Sequence, residues 1–87
     1  MKYKYYNLFN LTDFDALSVP YITRTFELEG QGSVEVRLSR GLTYSLYVNG
    51  YMLTPGLNDR NPFVSFDQKM AAYIDEDKNI WLGFYED

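Results

Sequence analysis

Between Tyr21 and Thr54, apolar and polar residues alternate in short runs bounded by turn residues, which is the signature of antiparallel strands. Tyr21 to Glu29 is strand-like, and Gly30-Gln31-Gly32 turns it. Ser33 to Ser39 then puts Val34, Val36 and Leu38 on one face with Glu35 and Arg37 on the other. Arg40-Gly41-Leu42 turns the chain into Thr43 to Val48. Asn49-Gly50 turns it again, because a type I′ hairpin needs positive φ at both central positions. Tyr51 to Thr54 returns, and Pro55-Gly56 ends the strand.

Turns centred in this way set a register. Leu28 is expected opposite Val34 and Phe26 opposite Val36. Leu38, Val36 and Val34 then face Tyr44, Leu46 and Val48, while Val48 faces Tyr51 and Leu46 faces Leu53. One inward set results, and it puts Glu27 opposite Glu35 outside, a like-charge contact that Arg37 or Arg24 relieves diagonally. Tyr47 and Met52 become an outward cross-strand pair, destined either for cover by a second layer or for a binding patch.

The ends are less regular. Lys2 to Phe9 reads as an edge strand guarded by lysines, and Thr12-Asp13-Phe14-Asp15 as a helix cap opening a turn at 13–17, stopped before Pro20. Residues 66–74 carry two patterns. Ser65-Phe66-Asp67-Gln68 fits a capping box before good helix formers, which favours a short helix. Met70, Ala72 and Ile74 also alternate, which allows a strand paired through an Asp75–Asn79 turn with Ile80, Leu82 and Phe84. Ile80 to Tyr85 is a strand either way, and Pro55 to Pro62 is expected to be the most mobile loop. The expectation is a mainly β fold: an antiparallel meander of four to six strands with one short helix, α+β being the close alternative.

Eighty-seven residues make one domain, 1–87. A chain of this size buries about 60–65% of its unfolded surface, so the core is thin, which favours a homodimer. Nine Tyr, six Phe and one Trp compensate in part, since each ring brings a large area to bury. There is no cysteine and no histidine. Disulfides, Cys-His zinc sites, Ser-His-Asp triads and Cys-His dyads cannot form within this sequence. No signal-peptide pattern and no eighteen-residue apolar run occur, so a cytoplasmic, non-membrane protein is expected.

The net charge of −4 is uneven. Acids and bases balance through residue 66, whereas Asp67, Asp75, Glu76, Asp77, Glu86 and Asp87 face Lys69 and Lys78 alone in the last quarter. That acidity disfavours direct nucleic-acid contact and favours a basic protein partner.

Candidate chemistry is sparse. From Asp75 to Glu86 the spacing matches a calcium loop at Asp75, Asp77, Asn79, Leu82 and Glu86, but Ile80 replaces the glycine of its sharp turn, and a strand follows where a helix is needed. A polar turn is the expected reading, without metal or cofactor. The carboxylate pairs Asp13/Asp15, Glu27/Glu29 and Asp75/Asp77 have the spacing of solvated strand faces or turns, not of a tuned acid and base. Gly30-Gln31-Gly32 lacks a phosphate-cradling frame. Lys2-Tyr3-Lys4-Tyr5-Tyr6 interleaves bases with rings that could stack on single strands, but fits a guarded edge better.

Arg24-Thr25-Phe26-Glu27-Leu28, Tyr44 to Gly50 (YSLYVNG) and Asn61-Pro62-Phe63-Val64-Ser65-Phe66-Asp67 together resemble the sugar-binding β-sandwich domain attached to some glycoside hydrolases. The resemblance spans about half the chain and implies a carbohydrate ligand, stacked on Trp81 and tyrosines, with no individual site residue carried over. The residues themselves favour a non-enzymatic protein-binding domain. Its class is that of phage or mobile-element inhibitors that place carboxylates where a host nucleic-acid enzyme binds phosphate. Tyr47, Met52, Asp75, Glu76, Asp77, Glu86 and Asp87 are the expected contact residues.

Overall fold

The computed structural model describes residues 2–54, 57 and 63–86. Along the chain run β1 (Tyr3–Asn10), α1 (Leu11–Leu17), β2 (Tyr21–Leu28), β3 (Gly32–Arg40), β4 (Tyr44–Val48), β5 (Tyr51–Thr54), β6 (Phe63–Val64), β7 (Met70–Ile74) and β8 (Asn79–Tyr85). Among the described residues these strands form two antiparallel four-stranded sheets. A meander sheet has the order β2-β3-β4-β5, and a terminal sheet the order β1-β8-β7-β6. Their inner faces share one core: Val34, Val36, Leu38, Leu46 and Val48 from the meander meet Phe9, Ala72, Ile74, Ile80 and Leu82 from the terminal sheet. Phe9 and Phe26 stack edge to face across the layers at 5.3 Å. The fold is mainly β with one short helix, as the alternation predicts, although its eight strands exceed the expected four to six.

The meander lies where the pattern puts it, with two slips. The first loop is Glu29 to Gln31, so Phe26 pairs with Val34 and Leu28 with Gly32. The second is Gly41 to Thr43, so Leu38 pairs with Leu46 and Val36 with Val48. Both slips are of two residues, which preserves the face of every side chain and therefore the core. They also remove the expected Glu27–Glu35 contact: Glu27 pairs with Ser33, whose hydroxyl donates to its carboxylate. At the third turn Asn49 (φ 51°) and Gly50 (φ 80°) adopt the expected positive angles, and Val48 pairs with Tyr51 and Tyr47 with Met52. A register shift then brings Leu46 opposite Thr54 instead of Leu53. Tyr51 is 54% exposed beside the turn, and so is not part of the inward set.

Residues 66–74 correct the helix expectation. Met70, Ala72 and Ile74 pair with Phe84, Leu82 and Ile80, as the strand alternative required. The local helix signals are used up in a turn. The Ser65 hydroxyl donates to Asp67 (2.7 Å) and accepts from Met70 N–H (3.1 Å), while Asp67 accepts from Lys69 N–H (3.0 Å). Phe66, which a helix would place on one face with Met70, Tyr73 and Ile74, is 99% exposed. Burial of alternating side chains between two strands outweighs a modest helix propensity.

The helix that does form is α1, and its cap is Asn10, not Thr12. The Asn10 side-chain oxygen accepts from Thr12 N–H (2.9 Å) and Asp13 N–H (3.3 Å), and α1 buries Leu11 and Phe14. The loop from Pro55 to Pro62 lies, apart from Leu57, outside the described residues.

Candidate functional site

The expected contact residues do not converge. Tyr47 and Met52 form the cross-strand pair on the outer face of the meander sheet, where Met52 is 46% exposed. The Arg37 guanidinium lies 6.0 Å from the Tyr47 ring and 4.8 Å from the Tyr21 ring. Asp75, Glu76 and Asp77 sit in the turn before β8, and Glu86 follows its far end, with its N–H bonded to the Lys2 carbonyl. A seven-residue strand separates the two acidic groups by about 20 Å. Asp87 lies outside the described residues.

Asp75 explains the calcium-like spacing. Its carboxylate accepts from Asp77 N–H, Asn79 N–H and Trp81 Nε1–H, each at 2.9 Å, and from the Asn79 side-chain amide at 3.3 Å. The indole N–H and then the Asn79 N–H are the main reasons its carboxyl is held below the usual carboxylate range. The acid at the first position orders a β-turn and fixes a tryptophan. In the Asp13/Asp15 pair, Asp15 is taken up by Arg40 (3.1 Å) and by the Tyr44 hydroxyl, which donates to both carboxylate oxygens at 2.9 Å.

A more continuous surface lies on the outer face of the terminal sheet. Alternation along β1, β7 and β8 turns Tyr3, Tyr5, Tyr73, Trp81 and Tyr85 to the side away from the core, and they touch in sequence. Tyr85 meets Tyr3 edge to face at 5.9 Å, and Tyr3 meets Tyr5 at 6.2 Å. Tyr5 meets Tyr73 edge to face at 5.1 Å, and Tyr73 runs parallel to Trp81 (12°) at 6.5 Å.

Gly83 makes the row possible. It pairs with Tyr5 on one side and Ala71 on the other. A Cβ at Gly83 would fall 2.6 and 2.8 Å from two Tyr5 ring carbons, so the ring lies over bare backbone. Burial, and secondarily Tyr73 and Tyr3, push the Tyr5 hydroxyl pKa up. None of the outward positions paired along these three strands is charged. The Tyr3 hydroxyl donates to the Gln68 carbonyl (2.8 Å) at one end, and Asp75 holds Trp81 at the other.

The sequence connects Trp81 and the tyrosines with a sugar ligand, and Tyr3 and Tyr5 with stacking on single strands, but does not bring them onto one face. The signal was the i, i+2 spacing of Tyr3/Tyr5 and Trp81/Gly83/Tyr85, which becomes a surface only once β1 pairs with β8 and 70–74 is a strand.

The chain matches no family model, and neither a curated protein nor a solved structure shows significant similarity to it. The local resemblance to sugar-binding sandwich domains therefore stands on its motifs alone. They fall on β2, on the β4–β5 hairpin and around β6, not on the aromatic face.

Proposed function

We propose that this chain is a non-enzymatic binding domain that acts by contact with another protein, and that its contact surface is the aromatic face of the terminal sheet. The observation that carries this is the unbroken row Tyr85–Tyr3–Tyr5–Tyr73–Trp81, seated over Gly83. Tyrosine and tryptophan are the side chains that most often anchor protein interfaces, because they offer large rigid area at small entropic cost. Carboxylates stand at both ends, Asp75, Glu76 and Asp77 beyond Trp81 and Asp67 and Glu86 beyond Tyr85. An apolar centre with a charged rim suits a partner with basic residues around an apolar patch. The finer form of this reading is a cytoplasmic inhibitor that covers the basic surface of a nucleic-acid enzyme, as phage and mobile-element proteins do.

A second reading is favoured by the lack of charge on the face itself: a neutral sugar chain lying on the rings with its C–H bonds toward their electron-rich faces. Capture experiments at low and high salt, beside a glycan array, separate the two, with wild type compared to Trp81→Ala and Tyr5→Ala. Protein capture that weakens with salt and is lost in both variants supports the first reading. Glycans retained by wild type, with no protein captured, would sink it. Capture unaffected by either substitution means the face is not the contact surface.

A further inference from the structure

The two sheets present four edges, and they are unequally guarded. β6 is two residues long, and β5 is four residues with a register shift. β1 carries Lys4, follows Lys2, and has a register shift between Asn7 and Phe9. Shortness, irregularity and lysine are the usual devices that keep a sheet edge from pairing with another chain. β2 is neither short nor irregular and carries no lysine, its charges being Arg24 on the inner face and Glu27 on the outer. It runs eight residues in unbroken register with β3, without proline or lysine, and consists largely of β-branched and aromatic residues.

The hydrogen-bond phase of that edge is fixed. Arg40 N–H donates to the Pro20 carbonyl (2.8 Å), which continues the β2–β3 ladder. Even-numbered residues of β2 therefore bond to β3, and Tyr21, Thr23, Thr25 and Glu27 turn their N–H and C=O groups outward. Among the described residues no backbone group bonds to them there. Nearby, β1 approaches through side chains, the Phe9–Phe26 contact and the Tyr6 hydroxyl on the Glu29 carbonyl.

We propose that the β2 edge is a self-recognition site, and that its occupant is the β2 strand of a second copy, paired antiparallel about Thr25. Of the two in-phase registers that overlap the strands most fully, the charges select this one. With Thr25 opposite Thr25, Glu27 lies opposite Thr23, Arg24 opposite Phe26, and Ile22 opposite Leu28. No like charges meet, and on the inner face Ile22 aligns with Leu28 while Arg24 stands opposite the Phe26 ring. A shift of the centre to Arg24 also satisfies the backbone phase, but sets two guanidinium groups against each other in the closer, non-hydrogen-bonded type of pair. The Thr25-centred pairing forms about six backbone hydrogen bonds and joins two meander sheets into one continuous sheet. Its two-fold axis is normal to that sheet, so both aromatic faces end on the same side of the dimer. This inference is independent of what those faces bind.

Sedimentation of the full chain, from about 1 μM to about 500 μM, tests it. Wild type is expected to pass from monomer to dimer. Thr25→Pro removes an outward N–H, at a position where an edge strand tolerates proline, and is expected to weaken dimerisation at least about tenfold, with circular dichroism and melting unchanged at about 1 μM, where both chains are monomeric. Thr25→Lys guards the same edge and decides the matter if the proline variant does not fold. In this cysteine-free chain Thr25→Cys is expected to give a disulfide dimer on mild oxidation, since opposed Cα atoms in a hydrogen-bonded pair lie about 5.5 Å apart. A chain monomeric throughout, a dimer indifferent to both edge substitutions, or a dimer in which Thr25→Cys does not cross-link overturns the proposal.

Discussion

Replacing Gly83 with alanine isolates the contact on which the aromatic face depends. The added methyl would stand 2.6 and 2.8 Å from Tyr5 ring carbons, closer than a Cβ approaches another carbon, and 3.1 Å from the Tyr3 Cβ, a tight contact that a shift of a few tenths of an ångström relieves. The ring must lift off the sheet. Overpacking of this kind costs about 1–3 kcal/mol. Lifting Tyr5 also loosens its 5.1 Å edge-to-face contact with Tyr73, worth about 0.5–1.5 kcal/mol. Against these stands the gain of about 0.5–1 kcal/mol from replacing a strand glycine by alanine. The expected net loss is about 0.5–4 kcal/mol, centred near 2, which is about 8–16 °C in Tm for a domain of this size.

The decisive measurement is a double-mutant cycle by urea unfolding, read from Trp81, the single tryptophan. In a Tyr5→Ala background the two ring contacts are gone and only the Tyr3 Cβ, at 3.1 Å, remains against a methyl at residue 83. Gly83→Ala is then expected to be neutral or to stabilise by about 0.5 kcal/mol. With the loss at its centre, the coupling is about 2–2.5 kcal/mol. If alanine at 83 is as costly without the Tyr5 ring as with it, the ring is not what the methyl meets, and the account of the face fails.

Other substitutions probe the rest of the frame. Leu38→Ala empties a fully buried position between the sheets and is expected to cost about 2–5 kcal/mol in urea unfolding. Asn10→Ala removes the α1 cap, together with the side-chain bonds from Asn10 to the Asp77 carbonyl and Asn79, and is expected to cost about 1–2 kcal/mol. Asp67 and Asp75 are held below their usual pKa in the fold by the N–H, hydroxyl and indole groups that donate to them. Their contribution is therefore complete above about pH 4, the unfolded carboxylate value, and is lost as pH falls through the folded values. Urea midpoints are expected to drop across that interval, and to drop less in Asp75→Asn. An equal drop would mean that the turn does not favour the ionised carboxylate.

The meander was legible because its determinants are local. Asn49-Gly50 fixes one turn by backbone angle, and alternation through Val34, Val36 and Leu38 fixes the face. What alternation cannot fix is loop centring. Gly30-Gln31-Gly32 and Arg40-Gly41-Leu42 each allow a loop displaced by one residue, and the chain takes the displaced choice both times. The core survives because such a displacement moves the pairing by two, which returns every side chain to its own face. Tyr51 was misplaced for another reason: its parity is inward, but it stands at the end of the hairpin, where the core no longer reaches.

The terminal sheet was legible only in pieces. Gln68 to Ala72 favours helix by propensity, and the competing strand gains its advantage from Phe84, Leu82 and Ile80, partners that helix propensity ignores. β1 and β8 come from opposite ends of the chain, and no local pattern announces that Tyr5 will lie beside Gly83. The aromatic face is the product of these two long-range choices, whereas the apolar contact residues legible in the sequence, Tyr47 and Met52, are a pair that one hairpin defines by itself. Glycine at 83 carries the missing information: inside an apolar strand its lack of a side chain is a standing cost unless something occupies the space. Here the occupant is the Tyr5 ring, so the residue that weakens β8 as a strand is the one that builds the surface the protein presents.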